Sequence, residues 1–186
     1  MGSRPLAYAA SALAIASAGL SVFWTLGGTL LLDTVGGSIE ELARTRSPAA
    51  LALGTATSLA KIGAAVLALA LVRPWGRSVP ERVLLAANML VSALLIAWGG
   101  ANVLVGAVAI TGVISPADGL DEHALRWHVF VWDPWFVVWG AALALALVAC
   151  RRESRAKTDA AGRLAARRRV GRSDSATRTG LGASRR

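Results

Sequence analysis

A single cysteine, Cys150, occurs in 186 residues, which excludes an intrachain disulfide and a thiolate metal cluster. Acidic residues are also few: 11 Asp and Glu stand against 20 Lys and Arg. A glycine-rich phosphate loop, a zinc-protease histidine pair, a nucleophile elbow and a paired-thiol motif are all missing, so the common soluble catalytic signatures are absent. The two histidines, His123 and His128, are five apart. That spacing does not put them on one helix face as an i,i+4 metal pair requires. No catalytic residue, metal or cofactor is therefore assigned, and the sequence leans away from an enzyme.

What the chain does have is long apolar stretches and a basic end. Twelve of the 20 Lys and Arg follow residue 150. The first 150 residues hold apolar runs that satisfy the roughly 20-residue length needed to span a bilayer. Spans are expected at about 6–30, 49–72, 83–112 and 129–150. The fold class is all-α, an integral membrane four-helix bundle over 1–150 followed by a basic tail over 151–186. Ala16-Ser17-Ala18 resembles a signal-peptide cleavage site. The apolar run continues past it through Phe23 and Trp24 to Leu32, which favours an uncleaved first span. The third run, 83–114, would be about 48 Å long as a helix. It must tilt, break near Gly99-Gly100, or project beyond a ~30 Å hydrocarbon core.

Basic residues next to the spans set orientation. With both termini cytoplasmic, the inner side receives Arg4, Arg73, Arg77, Arg82 and the tail, and the outer side only Arg44, Arg46 and Arg126. The expected location is a plasma membrane crossed four times. The tail is rich in Arg, Ala, Ser and Gly with almost no large apolar residues, so burial cannot offset its ordering entropy and disorder is expected. A basic patch of this size on its own would suggest nucleic acid. Attached directly to a span, it is expected to meet anionic lipid headgroups instead.

Each run carries a line of small or polar residues at alternating spacings of four and three. These are Ala10, Ala14, Ser17, Ser21, Trp24 and Gly28; Gly54, Ser58, Lys61, Ala65 and Ala68; Asn88, Ser92, Leu95, Gly99, Asn102 and Gly106; and Asp133, Val137, Gly140 and Ala144. Small residues let membrane helices approach closely and polar ones find partners there, so these lines are expected to face the bundle interior with left-handed packing. Counting helix rise from the outer ends puts Trp24, Gly27, Gly28, Trp98, Gly99, Gly100, Asn102 and Asp133 at one level.

Four of the seven tryptophans lie within residues 127–140, around Asp133-Pro134. Two readings of that pair are open. Asp133 caps a helix that starts at Pro134, or the helix starts near Asp121 and Pro134 kinks it. Lys61 lies near the middle of its span, where translocon scales place a lysine at roughly +2.5 to +3.5 kcal/mol, and it needs a partner. Asp133, directly or through water, is the expected one, with Asn88, Ser92, Asn102 and backbone carbonyls as alternatives. A pocket is expected from Trp24, Trp98, Trp132 and Trp135 as walls, Asp133, Lys61 and Asn102 as polar contacts, and the two Gly-Gly pairs. Three roles follow: small-molecule binding or transport, proton transfer by Asp133, Lys61 or His128, and an accessory subunit anchored by the tail. Four spans are few for an autonomous transporter, so a homo-oligomer or a larger complex is expected.

Phe23-Trp24-Thr25-Leu26-Gly27-Gly28, the four-span layout, and Trp132-Asp133-Pro134-Trp135-Phe136 followed by Trp139-Gly140 together resemble a group of small bacterial membrane proteins. This is the domain-of-unknown-function family numbered three-nine-nine-five. The resemblance covers roughly residues 6–150. It implies a four-helix membrane protein and brings no catalytic residues with it.

Overall fold

The computed structural model describes residues 2–114 and 122–182, with side chains described as far as Arg163. Asp121, near which one reading starts the last span, lies outside the described residues. The chain forms α1 (Ser3–Thr25), α2 (Gly37–Thr45), α3 (Pro48–Ala70), α4 (Glu81–Ile110), α5 (Glu122–Trp127) and α6 (Asp133–Gly182). A π-helical turn, His128–Trp132, joins α5 to α6 without a break. Four helices are long and apolar enough to cross a membrane: α1, α3, α4 and the continuous helix from Glu122.

Helix ends are set by local chemistry. α1 ends at Thr25, earlier than the apolar run does, because Trp24-x-x-Gly27-Gly28 is a helix stop. Gly27 takes φ +98°, and the amides of Gly27 and Gly28 return to the carbonyls of Trp24 and Phe23 at 2.9 Å each. This is the Schellman pattern, which favours glycine at the left-handed position. Residues 26–35 consequently form a loop and not the last turns of a span. α3 begins with Ser47 accepting from the Ala50 amide at 3.2 Å and with Pro48 at the first helical position, a combination that satisfies one orphan amide and needs no other. Gly76, between α3 and α4, packs so tightly on the Ala70 carbonyl that any side chain there would collide with it.

Around the bundle, α3 packs on α1, α1 on α6, and α6 on α4. α3 and α4 scarcely touch. One link, Asn88 Nδ2 donating to the Leu67 carbonyl at 3.2 Å, lies near their shared connection. The ring of helices is thus closed on three sides and parted on the fourth.

The core is built from small residues and one large one. Ala10 and Ala14 of α1 and Ala65 and Ala68 of α3 surround Trp139 and Leu143 of α6. Four alanines leave room for one indole, and Trp139 fills it. Along the α4–α6 seam, Ser92, Gly99 and Gly106 recur every seven residues and are buried; that period suits left-handed packing. Ser92 Oγ donates to the Gly140 carbonyl at 2.8 Å. A Cβ on Gly99 would lie 2.6 Å from the Asp133 carbonyl oxygen. α4 runs unbroken through Gly99-Gly100, so these glycines serve helix contact, whereas Gly27-Gly28 end a helix. Large apolar side chains point outward instead: Leu94, Leu104 and Phe130 are 60%, 70% and 71% exposed. A small-residue interior under an aliphatic surface is the pattern of helices packed in lipid.

Ser3 ties the two termini together at the end of the bundle away from the 26–46 segment. Its amide and hydroxyl each donate to Glu153 at 2.8 Å. Beyond Glu153, α6 leaves the bundle, and its side chains are exposed on every face as far as Arg163. With no tertiary surface against it, this stretch has only local helix propensity to hold it, which is marginal in water. Residues 154–163 therefore have no tertiary packing to hold them, as their composition implies.

Candidate binding cavity

The second reading of Asp133-Pro134 is the one realised: the helix starts before them and passes through. Pro134 has no N–H to give the carbonyl four residues earlier. The π turn takes up the misfit, with the Asp133 amide donating to the His128 carbonyl, five residues back. Such one-turn widenings re-aim side chains and recur at functional sites. Here the turn brings His128 and Asp133 together. His128 Nδ1 is 3.3 Å from Asp133 Oδ2, and its Nε2 is 2.9 Å from the Val35 carbonyl.

A backbone carbonyl only accepts, so the contact to Val35 is made from an Nε2–H, and the other ring nitrogen faces the Asp133 carboxyl group. Asp133 is 4% exposed, a burial that penalises an unpaired charge.

The same region clasps the loop after α1. Trp132 Nε1 is 3.2 Å from both the carbonyl and the hydroxyl oxygen of Thr34. Trp24 Nε1 donates to the Leu30 carbonyl at 2.8 Å, and its ring meets Trp132 edge-on at 5.9 Å. Thr34 and Leu32 are buried beneath these contacts. Arg46, at the end of α2, reaches back to the Leu26 carbonyl at 3.2 Å.

Lys61 and Asp133 do not form the expected ion pair. The Lys61 ammonium donates to Ser21 Oγ at 2.7 Å and stands 6.0 Å from the centre of the Phe136 ring. The reason is directional. A lysine side chain leans toward its own helix N-terminus, which takes it across to α1, while His128 already occupies the Asp133 carboxylate. Ser21 is four residues before the end of α1, so the ammonium sits about 6 Å below that end.

These groups line one cavity of about 630 Å³. Its walls come from α1, the 35–46 segment, α3, α4 and the π turn with the start of α6. It has a sequence-level cause. In the half of the bundle near the termini, Trp139 fills the space between small residues. In the other half, Ser17, Ser21, Gly54 and Gly106 line the space, with Thr25 and Val129 packed over the two glycines. Thr57, Leu53, Trp98 and Val105 line it while exposed, and so do Ser38, Ile39 and Arg46, so it opens sideways at the gap between α3 and α4 and also at the 35–46 segment.

Of the residues named from sequence, Asp133, Lys61, Trp24, Trp98, Asn102 and Trp132 line this cavity. Gly27, Gly28, Gly99, Gly100 and Trp135 do not. Gly27 and Gly28 end α1, Gly99 packs on α6, Gly100 faces open space, and the buried Trp135 Nε1 has no hydrogen-bond partner. Phe136, Val35, Leu42 and Arg46 also line it, and pattern reasoning passed over them. For Arg46 the signal was present, a cation just before a span, but it counted only toward topology. The 35–42 segment follows from the early stop of α1, which Gly27-Gly28 could have indicated.

Length and composition of the four long helices make this a membrane protein. The family model described as "Protein of unknown function (DUF3995)" matches residues 14–143, and the chain belongs to that family. The match takes in α1 from Ala14, the whole cavity and α6 as far as Leu143. No curated protein and no solved structure matches the chain.

Proposed function

We propose that this protein binds an amphipathic small molecule that enters sideways from the bilayer between α3 and α4. The observation that carries the reading is the cavity itself: largely apolar walls with polar groups set among them, and an opening toward the lipid-facing surface. Its volume of about 630 Å³ falls within the ~300–1,000 Å³ typical of small-molecule sites. A lysine inside a membrane helix marks a functional site by default, and Lys61 opens onto this space. Both termini lie in the cytoplasm on this reading, because Arg4, Arg73, Arg77 and Arg82 share one end with the tail. The cavity then belongs to the outer half of a bacterial plasma membrane. The basic tail meets anionic headgroups of the inner leaflet and holds the protein, alone or as a dimer or subunit, against that surface.

Titration of the detergent-purified protein with a fluorescent long-chain amphiphile tests this reading. Saturable binding that is lost in Thr57→Phe, which narrows the mouth, supports it. Non-saturable partitioning that Thr57→Phe leaves unchanged refutes it.

A further inference from the structure

We infer that the ligand of this cavity carries an anionic headgroup, a carboxylate or a phosphate, held by Lys61, with its chain leaving through the gap between α3 and α4. This rests on the binding role proposed above and adds the chemical class of the ligand. Four ionisable side chains line the cavity: Arg46, Lys61, His128 and Asp133. The Asp133 carboxyl group faces His128 Nδ1 at 3.3 Å. Lys61 has a neutral hydroxyl and an aromatic face as partners, and Arg46 a backbone carbonyl. Among the described residues neither cation has a carboxylate within ion-pair distance. The cavity is thus lined by two cations that lack a carboxylate partner.

Inside an apolar wall that imbalance is costly, and an anionic ligand removes it. An ammonium has three donors, and Ser21 occupies one. The remaining two are open to a carboxylate or phosphate oxygen. Depth agrees with a headgroup. The Lys61 side chain leans up to the level of Ser21, about one turn below the end of α1, while Arg46 stands at the mouth above it. The lining around the ammonium includes Phe136 and Leu53 beside the small polar Ser17 and Thr57, and its apolar members suit an alkyl chain.

The test is displacement of the fluorescent amphiphile from the full-length protein in a neutral maltoside detergent. The competitors are a 16-carbon fatty acid, the alcohol of the same chain, and its phosphate monoester. The fatty acid or the phosphate ester, or both, should compete about tenfold better than the alcohol, the scale of a hydrogen bond to a charged group. Whichever of the two competes better identifies the headgroup. Lys61→Met should erase that advantage and Lys61→Arg should keep it. If the alcohol competes as well as both anions, the ligand class is wrong while the cavity reading survives. If none of the three displaces the amphiphile from folded protein, the cavity reading fails with it. An anion preference that persists in Lys61→Met contradicts the assignment to Lys61.

Discussion

His128 Nδ1 faces Asp133 Oδ2 at 3.3 Å while the same ring donates from Nε2 to the Val35 carbonyl at 2.9 Å. This contact clasps α6 to the loop after α1. Asp133→Asn keeps a polar partner for Nδ1, so hydrogen–deuterium exchange of residues 26–36, compared at one pH, should stay close to that of the parent. Asp133→Leu should speed that exchange and destabilise the protein by about 1–3 kcal/mol, the cost of an unsatisfied buried group.

Gly99 and Gly100 are adjacent but predict opposite outcomes. A Cβ on Gly99 would sit 2.6 Å from the Asp133 carbonyl, a backbone atom that cannot turn aside, while one on Gly100 meets nothing within 4 Å. Gly99→Ala should destabilise by about 1–3 kcal/mol through overpacking. Gly100→Ala should be neutral or stabilising by about 0.5–1 kcal/mol, since alanine replaces glycine inside a helix. Thermal unfolding in detergent measures both, and equal effects would contradict the seam described for α4 and α6.

How much was legible beforehand divides along the same line. The lines of small residues on α1, α3 and α4 could be read because lipid leaves aliphatic side chains outside and gathers Ala, Gly and Ser within, a pattern with helical period. Ser58, Ala65, Asn88, Ser92 and Gly99 are all buried as their spacing implies. Asp133-Pro134 had two readings because capping and kinking begin with the same residue pair. Only the π turn, a matter of backbone geometry upstream, distinguishes them. The Lys61–Asp133 pairing failed because spacing along separate helices says nothing about which third group lies closer. Here Ser21 took the ammonium and His128 the carboxylate.

Topology is testable without any ligand. In a Cys150→Ala background, a cysteine at Glu40 should react with a membrane-impermeant maleimide in intact cells, and one at Lys157 should react only after the membrane is opened. The reverse pattern would invert the proposed orientation and move the cavity to the cytoplasmic half.

The central claim, a ligand cavity that opens between α3 and α4, is tested most directly by photo-crosslinking the native protein. A diazirine-bearing long-chain amphiphile is used, and labelled residues are located by mass spectrometry. Labelling that concentrates on Leu53, Thr57, Asn102 and Val105, and disappears with excess unlabelled amphiphile, is the predicted result. Label spread over outward residues such as Ile15, Leu59 and Leu90, with no loss on competition, would contradict it.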